Sequence, residues 1–473
     1  LFTQGMARPR RTRYNARHVK GINMRFLVSA AAIVLLAPAT AHAEDLPQAV
    51  AEAYRNNPTL EGARLSARAA YEGANQNRAS YLPQVEVSGS AGVRSVQSES
   101  NGFTSPRQDL DPNSVGVQIS QSLYSGGRRG ALGRIARGQI DAAQERLRAA
   151  EQSVLLGVVT AYVDVRRDAE QVTIRANNVD VLARQLQAAR DRFEVGEITR
   201  TDVAQAEARL AGAQSGLAAA QAQLEVSRAN YREIVGTQPG ELTAPPAPPE
   251  LPADLETALQ FALTANPQIL AAEQSAAIAE AQVRVEAAGL RPQVSVVGAA
   301  SRSREASVAN FTQESASASA QITVPLYQGG YARSRVRQAR LNAERAGADL
   351  EAARRGVIGD VTGAWSSVLA SRRVIEASQQ QVRANTLAFE GVEQEQQVGL
   401  RTTLDVLDAE QELLDARLNL VRAERDAYVA AHQLLVAIGA LDASALGVNE
   451  ALAREDDSEA EGRNRWLPWS RAD

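Results

Sequence analysis

Two nine-residue stretches, "VGEITRTDV" at Val195–Val203 and "VGLRTTLDV" at Val398–Val406, stand 203 positions apart in the chain. Each places one Gly inside sequence that otherwise reads as unbroken helix. Gly196 and Gly399 can take positive φ and end the incoming helix. Thr199 and Thr402 can restart it, with Asp202 and Asp405 three residues later in capping-box spacing. An Asp there also lies near the positive end of the new helix dipole. The chain therefore contains two copies of a helix–turn–helix hairpin.

Working outward, the repetition covers most of the sequence. "NNPTL" (Asn56–Leu60) answers "ANPQI" (Ala265–Ile269), and "YLPQVEVSGSA" (Tyr81–Ala91) answers "LRPQVSVVGAA" (Leu290–Ala300). "LYSGG" (Leu123–Gly127) answers "LYQGG" (Leu326–Gly330). A fixed-period repeat of this kind signals one structural unit used twice. We assign residues 44–242 to the first repeat and 253–445 to the second. "TAPPAPPELP" (Thr243–Pro252) is a stiff Pro-rich linker between them, which no helix crosses.

Within a unit, the stretch from Gly127 to Val195 contains no Pro. Ile140, Leu147 and Val154 repeat every seven residues. After a slip of four, Val158, Val165, Val172, Val179, Leu186 and Phe193 do the same. Val361, Val368, Ile375, Val382 and Phe389 hold the matching places in the second half, and Gln396 replaces the last apolar residue. Sustained heptads with one stutter predict a coiled-coil helix, about 100 Å long at 1.5 Å per residue. Shorter helices are expected over Pro47–Ser80 and Thr201–Val235, and again over Leu255–Leu290 and Thr402–Ile438. Stacked end to end, each pair matches one long helix, so antiparallel hairpins follow.

Between the helices the apolar period changes to two. Val85, Val87, Gly89, Ala91 and Val93 alternate with polar residues, as do Val115, Val117 and Ile119. Val294, Val296, Gly298 and Ala300, and then Ala316, Ala318, Ala320, Ile322 and Val324, repeat the pattern. Four strands of about ten residues with one small or apolar face fit outer-membrane barrel strands. They also fit two β-hairpins on a soluble domain. Four strands cannot close a barrel, and bare edges are not tolerated in lipid, so the membrane reading requires several chains.

Composition narrows the function. There is no Cys and only three His, two of them within the first 43 residues, so thiolate and His-ligated chemistry has almost no material. The remaining His432 reads as a solvated or packing residue. We expect no enzyme activity, no metal and no cofactor. The formal net charge of −4 grows more negative once the basic leader is set aside, which argues against nucleic acid as a partner. "MRFLVSAAAIVLLAPATAHA" (Met24–Ala43) has the basic start, short apolar run and A-x-A end of a secretory signal. Residues 1–23 read as an upstream extension, and 446–473 as a disordered acidic tail.

Taken in order, the signal, both "NP" sites, "LPQV" and "RPQV", "YSGG" and "YQGG", and the two Gly-broken turns resemble the TolC-type outer-membrane channel proteins of efflux and type I secretion. The resemblance covers about Asp45–Leu441. It implies a homotrimer in which four strands per chain form a twelve-stranded barrel in outer-membrane lipid. Long helical hairpins would continue it as an α-barrel through the periplasm. With no Cys after the signal, the chain resembles the unlipidated branch. The implied partners are a periplasmic adaptor protein and an inner-membrane ABC exporter or proton-driven pump that supplies the energy.

The resemblance also places the two turns at the periplasmic tip, where Asp202, Arg401, Asp405 and Asp408 would form a gate and selectivity site. Asp405 and Asp408, three residues apart, share a helical face. Val195, Gly196, Val398, Gly399, Leu400 and Thr402 match the adaptor-docking tip. Glu197-Ile198 departs from the family's Leu after Gly, and Gln396 stands where some members place an aromatic residue. A trimeric membrane-anchored stalk explains the heptads and strands but not the duplicated Gly-broken hairpins. A soluble periplasmic enzyme or scaffold is disfavoured by the residue inventory.

Overall fold

The computed structural model describes residues 44–448 except 98 and 101, so the expected extension, signal and residues 449–473 lie outside the described residues. The helices are α1 (Leu46–Asn56), α2 (Pro58–Ala79), α3 (Arg128–Glu194), α4 (Arg200–Val235), α5 (Leu255–Ala265), α6 (Pro267–Ala288), α7 (Tyr331–Gln397) and α8 (Thr403–Ile438). The strands are β1 (Gln84–Ala91), β2 (Arg94–Val96), β3 (Glu99–Ser100), β4 (Phe103–Thr104), β5 (Gln108–Leu110), β6 (Asn113–Ser125), β7 (Gln293–Arg304) and β8 (Thr312–Thr323).

The two long helices α3 and α7 each run for 67 residues, as the heptads predict. The shorter stretches differ from expectation. Instead of one helix over Pro47–Ser80, the chain breaks at Asn57–Pro58, and its second copy breaks at Asn266–Pro267. Proline lacks an N–H and clashes with the preceding turn, so the helix must restart there. Asn57 ends α1 in extended geometry and caps α2, accepting from the N–H groups of Thr59 and Leu60. Its amide also donates to the Ile234 carbonyl at 2.9 Å, locking the break onto the end of α4. Asn266 repeats this contact with the Ala437 carbonyl at 2.8 Å.

The helices form one layer. α2 and α4, stacked end to end, line one side of α3; α6 and α8 line its other side, and α7 packs outside α6 and α8. The apolar core gathers where the stacked helices meet. Leu46, Ala49, Val50 and Ala53 of α1 recur at helical spacing and are all fully buried there, with Tyr162, Tyr231, Leu434 and Leu441. The linker is strapped over this region. Glu44 pairs with Leu242, and the Tyr162 hydroxyl lies 3.0 Å from the carbonyls of both Glu44 and Thr243. Leu446 and Val448, the first residues assigned to the tail, are buried in the same core, and the rest of that tail lies outside the described residues.

Buried and half-buried polar groups tie helices together within and between the repeats. Asp168 of α3 accepts two bonds from the Arg167 guanidinium and one from Ser227 of α4. Asp164 of α3 pairs with Arg425 of α8 at 2.7 Å. His432 is a fully buried packing residue, its Nδ1 2.8 Å from the Tyr428 carbonyl, and burial holds its pKa down.

β1, β6, β7 and β8 form one antiparallel sheet in that order. The register brings Val117 beside Ala300 and Val87, and Val296 beside Ala320. One face therefore carries Val85, Val87, Val115, Val117, Ile119, Val294, Val296 and Ile322. The opposite face is mostly serine, with Ser90–Ser114 and Ser301–Ser315 hydroxyl pairs at 2.9 Å. Two departures stand out. Val93 falls outside β1, and 94–110 adds two small ladders, β2–β5 and β3–β4, beyond the main sheet. These short polar pairs carry no alternating apolar signal. No described helix is long and apolar enough to cross a membrane; the sheet is the element with a lipid-compatible face.

Candidate gate and docking tip

The tip is built twice by the same local chemistry. After α3, Gly196 takes φ +79°, its N–H donates to the Phe193 carbonyl at 3.0 Å, and the Glu197 N–H donates to the Arg192 carbonyl at 2.9 Å. Gly399 takes the same φ, with Gly399 to Gln396 at 3.0 Å and Leu400 to Glu395 at 2.8 Å. This left-handed cap satisfies the last carbonyls of each long helix.

Both capping boxes form. The Asp202 Oδ2 accepts from the Thr199 N–H and hydroxyl at 2.8 Å each, and Asp405 Oδ2 accepts from Thr402 at 2.9 and 2.8 Å. The backbone bond first, and the hydroxyl second, hold both carboxyl pKa values below the usual range. Both groups are thus anionic and fixed in place, with Oδ1 left outside the box.

The other candidate gate residues hold ion pairs of their own. Arg401 binds Glu395 at 2.8 Å. Asp408 binds Arg209 of α4 at 2.6 Å, a contact across 199 residues of sequence that joins the two hairpins. Below the turns lies a small apolar core in which Leu407 of α8 packs among Leu182, Leu186 and Ala189 of α3 and Ala206 of α4. Three residues after Leu407, buried Glu410 accepts from Asn178 of α3 at 3.0 Å. Gln396 is buried as well, 3.5 Å from the Thr403 hydroxyl.

Arg209, Leu407, Glu410 and Asn178 were not legible as tip residues. Only the Arg209–Asp408 pair left a signal, a mismatch between equivalent repeat positions: Arg209 matches Glu412, and Asp408 matches Gln205.

The candidate docking residues are exposed but the two turns are unequal. Val195 and Val398 project at 72% and 71% exposure, and Leu400 at 75%. At the place equivalent to Leu400 the first turn exposes Glu197, while Ile198 folds inward onto the small core. The second turn therefore offers a larger apolar surface and the first an anionic one.

Glu410 carries a pH prediction. Burial raises its pKa, with Arg417 and Arg184 opposing and Glu393 reinforcing the shift. A raised folded value contributes stability that is complete below the ordinary Glu range and lost as pH rises through the folded value. Glu410→Gln keeps an acceptor for Asn178 without the charge. At neutral pH it should melt higher than the parent, and the difference should close as pH falls below about 4.3. Parallel melting curves with pH check this; a gap that widens on acidification would contradict it.

Among the described residues no group of three or more His, Cys, Asp or Glu could hold a metal. The long helical hairpins, the two-faced sheet and the polar tip define a subunit of a membrane channel. The chain belongs to the outer membrane efflux protein family, which it matches over residues 49–237 and again over 258–440. It is 32% identical to the outer membrane efflux protein BepC of Brucella suis, over 93% of this chain and 96% of that protein. It is 30% identical to the outer membrane protein TolC of Vibrio cholerae, over 87% and 94%. The CmeC outer membrane channel of Campylobacter jejuni has the same fold, with a TM-score of 0.74 at 16% identity over 86% and 90% of the two chains. The double match follows the internal repeat. The chain is an outer-membrane efflux or secretion channel protein.

Proposed function

We propose that three copies join edge to edge into one continuous duct, the exit stage of a tripartite efflux or type I secretion system. The observation carrying this reading is the agreement of the open edges. β1 and the α2/α4 row are unpaired on one side of the subunit, and β8 and α7 on the other. The same neighbour can therefore complete both layers, and a membrane sheet cannot leave its edges bare. Leu341 and Leu387, 65% and 72% exposed on the free side of α7, would be covered by that neighbour.

In the ring the serine face lines the barrel and the apolar face meets lipid. Val195, Gly196, Val398, Gly399, Leu400 and Thr402 dock the adaptor, and an inner-membrane pump, either an ABC exporter or a proton-driven transporter, supplies the energy. Asp202, Asp405, Asp408 and Arg401 surround the periplasmic mouth, where rings of like charge favour cations and resist leakage of anions. The channel itself is passive.

Purified protein in planar bilayers tests the reading. Trimers with discrete cation-preferring conductance are expected, and Asp405→Ala with Asp408→Ala should weaken the preference at least severalfold. A monomer without conductance would sink the assembly, and unchanged selectivity in the double variant would sink the gate assignment.

A further inference from the structure

The membrane-proximal ends of the helices carry a second feature that gating does not use. Arg333, Arg337 and Arg340 of α7 each directly follow a buried seam residue, Ala332, Val336 and Ala339, so they share one flank of the helix. Arg134 and Arg137 of α3 occupy the positions equivalent to Arg337 and Arg340, 203 residues earlier. They line a groove of about 280 Å³ together with Arg284 of α6. All six arginines are exposed, and none makes a side-chain hydrogen bond or ion pair among the described residues. Elsewhere the helices pair their arginines repeatedly, as Arg167, Arg209, Arg354 and Arg425 show, and within the band itself Arg335 pairs with Glu286. The carboxylates nearby are Asp141 and Glu280 in the groove, Glu344 on α7 and Glu286 on α6, the last held by Arg335. A basic band of this kind in a chain of net charge −4 needs an anionic counterpart.

Position says what that counterpart is. Tyr81, Tyr124, Tyr327 and Tyr331 are exposed at the strand–helix junctions, the aromatic belt expected at a membrane interface. Arg333 to Arg340 lie within roughly 14 Å of the first residue of α7, and Arg134 and Arg137 as near the start of α3. Arginine stems can run along apolar surface and lift their guanidinium groups into the headgroup layer. The flank also faces outward. Trp365, which follows seam residue Ala364 just as the arginines follow theirs, packs against the core that includes α1, α5 and the linker residues Leu242 and Leu251. In the proposed duct those elements sit on the outer side, where they leave the lumen clear.

We propose that these six arginines form an exterior collar that binds the phosphate headgroups of anionic phospholipid in the inner leaflet of the outer membrane, fixing the height of the duct. The inference rests on the tubular assembly above. Arginine suits the role because its planar fork pairs with two phosphate oxygens at once.

The test is native mass spectrometry of the full-length protein released from vesicles with equal phosphatidylglycerol and phosphatidylcholine of matched acyl chains. The parent should retain phosphatidylglycerol preferentially. Arg333→Gln, Arg337→Gln and Arg340→Gln combined should lower that preference by about fivefold or more, whereas the triple Lys variant should keep most of it. Arg134→Gln with Arg137→Gln gives a second, independent measure on α3. A conducting trimer without the lipid preference overturns the collar alone, as does a triple Gln variant with undiminished preference. A parent that neither trimerises nor conducts overturns the assembly beneath it.

Discussion

Gly439→Val should abolish recovery of folded protein, while the same substitution at Gly399 should leave the trimer intact and stop export. Both glycines end helices at φ +79°, where a β-branched residue costs about 1–2 kcal/mol in backbone strain alone. Their surroundings separate the outcomes. A Cβ at Gly439 would meet the Ala265 carbonyl oxygen at 2.7 Å, the Asn266 Cα at 2.8 Å and the Ala265 carbonyl carbon at 3.0 Å. All three are backbone, in the turn where Asn266 caps α6 and donates to Ala437. The side chain can enter only by pushing α8 off the α5–α6 break, which adds overpacking of about 1–3 kcal/mol and the loss of a buried bond. At Gly399 a Cβ meets nothing within 4 Å, so strain is the whole penalty. A loss of that size does not unfold a protein stable by about 5–15 kcal/mol, but it re-aims Val398 and Leu400, the apolar contacts of the second turn. Outer-membrane yield, melting temperature and an export assay on both variants check the contrast. Well-folded Gly439→Val, or normal export by Gly399→Val, would contradict it.

The same contrast shows what sequence reading could reach. Positions fixed by local chemistry were legible: heptads for α3 and α7, Gly196 and Gly399 for the turns, Thr199 and Thr402 for the restarts. The breaks at Asn57–Pro58 and Asn266–Pro267 were present in the quoted motifs, yet adding the helix lengths hid them, because the stacked pieces still match the long helix. What could not be read depends on which helices become neighbours. Glu410 meets Asn178 only because α8 packs on α3, and Asp408 meets Arg209 only because α4 and α8 converge at the tip. Arg209 and Asp408 differ from their equivalents Glu412 and Gln205, and they meet across the boundary between the repeats.

Arg209→Ala should open the periplasmic mouth and at the same time sharpen its cation preference. Arg209 neutralises Asp408 at 2.6 Å, so its removal unmasks one carboxylate per subunit and frees α8 from α4. Both partners are partly exposed, 39% and 55%, so the pair contributes at most about 1 kcal/mol. Three such clasps in one ring, released together, allow up to about 3 kcal/mol, a change on the order of a hundredfold in the open fraction. The Leu407 core and the Glu410–Asn178 bond still hold the hairpins, so the tip loosens without unfolding. Single-channel recordings should show longer openings and a larger cation-to-anion permeability ratio. Asp408→Ala breaks the same clasp but removes the negative charge, so it should lengthen openings while lowering that ratio. The exchange Arg209→Asp with Asp408→Arg should return open time towards the parent value. If Arg209→Ala and Asp408→Ala move selectivity in the same direction, or if the exchange leaves the tip open, the clasp does not control the mouth.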